Sequence, residues 1–296
     1  MCLNNERILF KPFKLIMQVI LYKEAFYFFS IILGMNNFSV RKMVSNAIPA
    51  NYFVILYITI YFISPFLNVL IEIINEKNVF DRFLVIIIVL FSLWPTIVDV
   101  FQEIAGKQFL GLSTVGAYGS QWGYSIVNFS VMYLIGAWIR KRKDSVDNKK
   151  SRHFLAIIIS IGVLVIWACI NDEIGYGVER SAWEYCNPVV IFIAVEYFLL
   201  FKQIRIENGK MIKIINSLAK GAFSVYLLHF HFLSHIGIEK FIAGNLMIMM
   251  FHIIASVIVI YFACWCVNEI YERVTYPIYN LLNKKFPVLS KNIAGI

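Results

Sequence analysis

The sequence predicts an all-α, polytopic integral membrane protein with about eight transmembrane helices and both termini cytoplasmic. Three observations predict it. Hydrophobic residues make up 60% of the 296 and charged residues only 15%, whereas soluble chains run near half and a quarter. Apolar runs of membrane-spanning length recur from one end of the chain to the other. Lysine and arginine rise and fall in density from loop to loop, as positive-inside topology requires.

The expected spans are 15–34, 52–71, 83–101, 122–139, 154–170, 183–201, 214–233 and 246–267. The sixth has a short clean apolar part beginning at Pro188 and needs Trp183 and Tyr185 as an interfacial start. Lys220 interrupts the seventh, though a lysine near a span end can snorkel to the interface. Alternating the loops places 21 of the 27 Lys and Arg on one side and 5 on the other, with Lys23 inside a span. The 21-side is therefore cytoplasmic. The whole chain, 1–296, is expected to form one membrane domain, with the bundle over about 15–267. The tail 268–296, basic and amphipathic, is expected to lie along the inner membrane surface.

The net charge of +9 sits mainly in cytoplasmic loops, so it reports topology, and no nucleic-acid partner is expected. The run Arg140-Lys141-Arg142-Lys143 is first of all a cytoplasmic anchor. Five cysteines form no C-x-x-C pair and no disulfide-like framework. The first 14 residues are polar and no cleavage site follows, so no cleavable signal peptide is expected. The outer loop 102–121 carries Gly106, Gly111, Gly116 and Gly119 but matches no phosphate-binding glycine motif, because Ala117 follows Gly116. It reads as a mobile loop or a flap over a site.

Ionisable and amide groups inside the spans mark function or helix pairing. Asn68, Asp99 and Glu196, together with Asn187 at the entry to the sixth span, are the expected substrate contacts. Pro65 and Pro95 should kink their helices and free backbone carbonyls. The densest polar set is Ser224-Val225-Tyr226-Leu227-Leu228-His229-Phe230-His231-Phe232. Tyr226 and His229 are three apart and share a helix face. His231 lies about 200° round from His229 and shares its own face with His235. A zinc site at His231 and His235 lacks the H-E-x-x-H glutamate and a third ligand at a telling spacing, so no metal is expected. His231 and His252 read as structural or interfacial, and His153 as a loop residue.

Phe223-Ser224-Val225-Tyr226-Leu227-Leu228-His229 resembles the "FgvYLiH" segment of the acyltransferase-3 family of polytopic membrane acyltransferases. Three further pieces agree in order. Tyr52-Phe53 through Ser64-Pro65-Phe66-Leu67-Asn68 resembles the family's "YWF…lsPfLN" helix. Tyr133-Leu134-Ile135-Gly136-Ala137-Trp138-Ile139-Arg140 resembles "YliGaYir". Tyr185-Cys186-Asn187-Pro188 with Phe198 to Lys202 resembles the helix preceding the YLiH segment.

The resemblance implies an O-acyltransferase that moves an acetyl (acyl) group from acetyl-CoA to a hydroxyl of a cell-surface polysaccharide or related carbohydrate, in a bacterial-type cell membrane. It implies supporting roles at the site for His229 and Tyr226, and donor contacts at Arg140, Lys141 and Arg142. The family has about ten helices and an Arg-x(10)-His element in the first. Here Arg7 is followed at eleven by Gln18, and no histidine precedes His153. The expectation is therefore a chain without the first two helices: a truncated product, half of a split enzyme with a homologous or split-gene partner, or an inactive copy. Two other classes fit the polar residues. One is a transporter or flippase for a polysaccharide precursor, suggested by Pro65, Pro95, Asp99 and Glu196. The other is a non-catalytic partner subunit.

Overall fold

The computed structural model describes residues 10–142, 149–173, 180–233, 236–237 and 245–285. Among them there are helices and turns and no strand. The helices are α1 (Phe10–Ile32), α2 (Val40–Asn46), α3 (Tyr52–Glu76), α4 (Phe80–Ile88), α5 (Trp94–Ala105), α6 (Ile126–Lys141), α7 (Lys150–Glu173), α8 (Arg180–Trp183), α9 (Pro188–Lys202), α10 (Gly209–Leu233) and α11 (Leu246–Lys285). Among the described residues seven helical stretches are long and apolar enough to cross a membrane: Phe10–Ile32, Tyr52–Glu76, Phe80–Ala105, Lys150–Glu173, Ser181–Lys202, Gly209–Leu233 and Leu246–Leu282. Large apolar side chains such as Ile32, Phe251 and Met247 point outward, while Gln18, Ser224 and Asn268 are buried. That arrangement suits hydrocarbon as the surrounding medium.

One expectation changes. The span expected at 122–139 is α6, a helix of 16 residues. At 1.5 Å per residue it reaches about 24 Å, short of a ~30 Å hydrocarbon core. Residues 122–125 are taken up instead by a tight turn and by Ser125, which accepts the Asn128 N–H as the α6 N-cap. Beyond 267 the expected tail is helical as far as Lys285. Over 268–285 it continues α11 without a break, through Pro277. Tyr271 and Tyr279 are buried and their hydroxyls bond at 2.8 Å, so one face of this stretch packs against the rest of the first unit.

Neither span proline stops its helix. Pro65 has no N–H for the carbonyl of Tyr61, and the neighbouring Ser64 hydroxyl donates to that carbonyl at 2.8 Å. Before Pro95 the chain widens into a π-turn, Val89–Leu93, and the Trp94 N–H bonds Val89 five residues back. In that register Pro95 would serve the Leu90 carbonyl but has no proton. The Thr114 hydroxyl, arriving from the glycine-rich loop, donates to Leu90 instead. Trp94 Nε1 donates to the Leu112 carbonyl at 3.0 Å, so the loop is fastened to the π-turn at two points.

The chain divides into two compact units, 1–51 with 206–296, and 52–205. In the first, α1, α10 and α11 pack around Tyr22, Leu228, Ile260 and Cys264. Ser224 is the hub of a buried network there: it lies 2.6 Å from the Tyr22 hydroxyl, accepts from Gln18 Nε2 at 3.1 Å and donates to Asn268 Oδ1 at 2.7 Å. Lys14 and Glu272, expected in a loop and a surface tail, form an ion pair at 2.9 Å between α1 and α11. In the second unit α3, α4, α6 and α9 pack around Ile71, Phe80, Leu134 and Ile191.

Candidate functional site

The second unit holds a cavity of about 680 Å³ where α5, the glycine-rich loop and the entry to α9 converge. Three carboxylates line it: Asp99, Glu103 and Glu184. Both Asp99 oxygens accept the Ser120 backbone N–H at 3.1 Å. The Ser120 hydroxyl donates to Glu184 Oε2 and accepts the Trp122 N–H at 3.0 Å. Ser181 donates to Glu103 Oε2 at 2.7 Å. The Gln102 side-chain nitrogen is buried with no hydrogen-bond partner among the described residues.

The loop needs unusual backbone to make this wall. Gly119 has φ +70, and a Cβ there would sit 1.8 Å from Asp99 Oδ1. Only glycine brings the main chain this close to the carboxylate. Gln121 and Trp122 follow at φ 54 and 58, a left-handed pair that bulky residues seldom adopt. The Tyr185 N–H, donating to the Trp122 carbonyl at 3.3 Å, helps hold it. The strained pair presents the Trp122 ring beside the cavity, next to Tyr124 at 5.9 Å, and Tyr124 in turn stacks on Tyr52 with centroids 4.0 Å apart. Strain of this kind concentrates where a ligand is handled.

Of the residues expected to contact substrate, Asp99 lies in this cavity. Asn187 is wholly buried, caps α9 by accepting the Val189 N–H at 2.8 Å and donates to the Ser181 carbonyl at 2.9 Å. It shapes the entry to α9 from behind. Asn68 accepts from the Tyr133 hydroxyl at 2.9 Å, joining α3 to α6. Glu196 lies 2.6 Å from His153 Nδ1, joining α9 to α7. His153 is therefore a buried helix residue and not a loop residue, because α7 begins three residues before it, at Lys150.

Sequence reasoning missed Glu103, Ser120 and Glu184. Glu103 and Ser120 fell in what was read as a flap, and Glu184 in an interfacial entry. The one available signal was the density of small and polar residues between Gly116 and Gly123.

In the basic run, Lys141 pairs with Glu72 at 2.6 Å and Arg142 with Asp81 at 2.5 Å. Trp138 Nε1 also donates to Asp81 at 2.6 Å. Lys143 and His235 lie outside the described residues, so the expected His231/His235 pairing does too. Among the described residues no group of three or more His, Cys, Asp or Glu could hold a metal.

The first unit carries the other expected pair. His229 Nδ1 lies 2.9 Å from the Val225 carbonyl and 3.0 Å from that of Tyr226. Carbonyls only accept, so Nδ1 carries a proton and acts as the donor. The Tyr226 hydroxyl donates to Asn51 Oδ1 at 3.3 Å. His231, two residues on, stacks on Phe26 with centroids 4.7 Å apart. One face of α10 thus holds Tyr226 and His229, and another packs against α1.

Comparison with known protein families gives a match. The family model of the acyltransferase domain, acyltransferase-3, aligns with residues 15–269. No curated protein and no solved structure matches the chain. The aligned stretch contains the YLLH segment of α10, the Ser64-Pro65 helix, α6 and the entry to α9. With seven apolar helices of spanning length among the described residues, this is a multi-pass membrane protein, and it belongs to the acyltransferase-3 family.

Proposed function

We propose that the protein transfers an acyl group, acetyl in the simplest case, from acyl-CoA to a hydroxyl of a carbohydrate, and that the cavity of the second unit receives that carbohydrate. The observation carrying this reading is the cavity wall itself. Asp99, Glu103 and Glu184 offer acceptors for hydroxyl protons, Gln102 offers a spare donor, and Trp122 and Tyr124 offer rings for the apolar face of a sugar. The volume of about 680 Å³ falls in the usual range of small-ligand sites, roughly 300–1,000 Å³.

The chemistry requires the acceptor hydroxyl to attack the thioester carbonyl carbon. A C–O bond forms, the C–S bond breaks, and the hydroxyl proton passes through a base to the departing thiolate. A side chain that accepts this proton near neutral pH speeds the step. In the first unit, His229, its Nδ1–H anchored on α10, and Tyr226 keep the supporting roles that the family resemblance implies. The donor's phosphates would meet Arg140, Lys141 and Arg142. Exchanging the Glu72 and Asp81 partners for phosphate is feasible because exposed ion pairs are weak.

The test is purified protein in proteoliposomes with radiolabelled acetyl-CoA and a polysaccharide acceptor. Alkali-labile label on the carbohydrate supports the reading, and Asp99→Asn and Glu184→Gln should each reduce it. Absence of transfer by folded protein overturns it. Movement of a saccharide across the membrane without coenzyme A would favour the transporter reading.

A further inference from the structure

The first unit contains a second cavity, about 730 Å³, between the C-terminal half of α1, the segment leading into α2 and the end of α10. The acyl-transfer proposal makes no use of it. Phe26, Phe29, Leu33 and Phe232 make it largely apolar, and His231 lines it while stacked on Phe26. Among the described residues of its lining, Lys23 is the one lysine, arginine, aspartate or glutamate.

Lys23 lies inside a helix long and apolar enough to span a membrane. An ammonium has three N–H donors. Two are directed at backbone carbonyls, Ile48 at 3.2 Å and Ala50 at 3.3 Å. Both partners are neutral, and no ion pair to Lys23 forms among the described residues. Glu24, about 100° further round the helix, does not line the cavity. A cation held in a span with no ion pair among the described residues calls for an anion. A ligand with an anionic head and a hydrocarbon tail satisfies the cation and the apolar wall together.

We propose that this cavity binds an anionic phospholipid, its phosphate at Lys23 and one acyl chain along Phe26, Phe29, Leu33 and Phe232. The site stands independently of acyl transfer. Its test is native mass spectrometry of the purified full chain titrated with phosphatidylglycerol or phosphatidylcholine. The wild type should prefer the anionic lipid about five-fold, the worth of one lysine near a lipid phosphate, and Lys23→Met should abolish the preference while Lys23→Arg keeps it. A wild type without preference, or a Lys23→Met variant that retains it, overturns the proposal. Should Lys23→Met fail to fold, photolabelling of the wild type in nanodiscs with a diazirine-tailed phosphatidylglycerol decides. Label concentrated on 26–33 and 231–232 supports the site. Label spread evenly over outward residues such as Met247 and Phe251 overturns it.

Discussion

His153 Nδ1 lies 2.6 Å from Glu196 Oε2, with the two side chains only 5% and 13% exposed. The pair joins α7 to α9 inside the second unit, and it gives Glu196 a structural task. Removing one partner strands the other in a buried place. His153→Ala or Glu196→Ala should each lower stability by about 3 kcal/mol, whereas replacing both with apolar residues of similar volume should cost less. Thermal unfolding in detergent measures this. Equal losses in the single and double variants would refute the pairing. Loss of any transport in Glu196→Ala must accordingly be judged against folded protein.

Gly119 offers a sharper probe of the cavity. Gly119→Ala should pay about 1–2 kcal/mol for the left-handed backbone and also push Asp99 away, since the new Cβ would lie 1.8 Å from Oδ1. Gly111, at φ +76 with nothing within 4 Å of its would-be Cβ, is the control. Acetyl transfer should fall in Gly119→Ala and persist in Gly111→Ala. Equal transfer by both would separate Asp99 from the acceptor site.

Thr114 holds the loop to the π-turn through the Leu90 carbonyl that Pro95 leaves without a donor. Thr114→Val removes that hydrogen bond at nearly constant volume and should destabilise by about 1 kcal/mol, while Thr114→Ser should be close to neutral. Unfolding midpoints, with hydrogen exchange across 89–95, test it.

With the supporting role proposed for it, His229→Ala should reduce acetyl transfer without abolishing it, with little change in unfolding temperature. Tyr226→Phe should reduce it less, because only the 3.3 Å bond to Asn51 is lost. Full activity in His229→Ala would refute that supporting role.

The sequence alone determined that this chain is an all-α membrane protein of the acyltransferase-3 family. Span-length apolar runs and the YLLH, Ser-Pro, Tyr-Leu-Ile-Gly and Asn-Pro segments are local signals that survive without any knowledge of packing. Helical periodicity also separated His229 from His231, because a 100° step per residue is a property of the helix itself.

Only the tertiary structure decided what the polar residues are for. Asp99, Ser120 and Glu184 are far apart in the chain and meet because a loop with left-handed residues at 119 and 121–122 folds back on α5. No periodicity encodes such a turn. Asn187, Asn68 and Glu196 looked alike as polar groups in apolar surroundings, yet one caps a helix and the others bond neighbouring helices. A buried polar group must find a partner, and which partner it finds is fixed by how distant segments pack. The same limit hid α11: its continuation past 267 follows from Tyr271, Thr275 and Tyr279 packing inward, a preference their composition alone did not reveal.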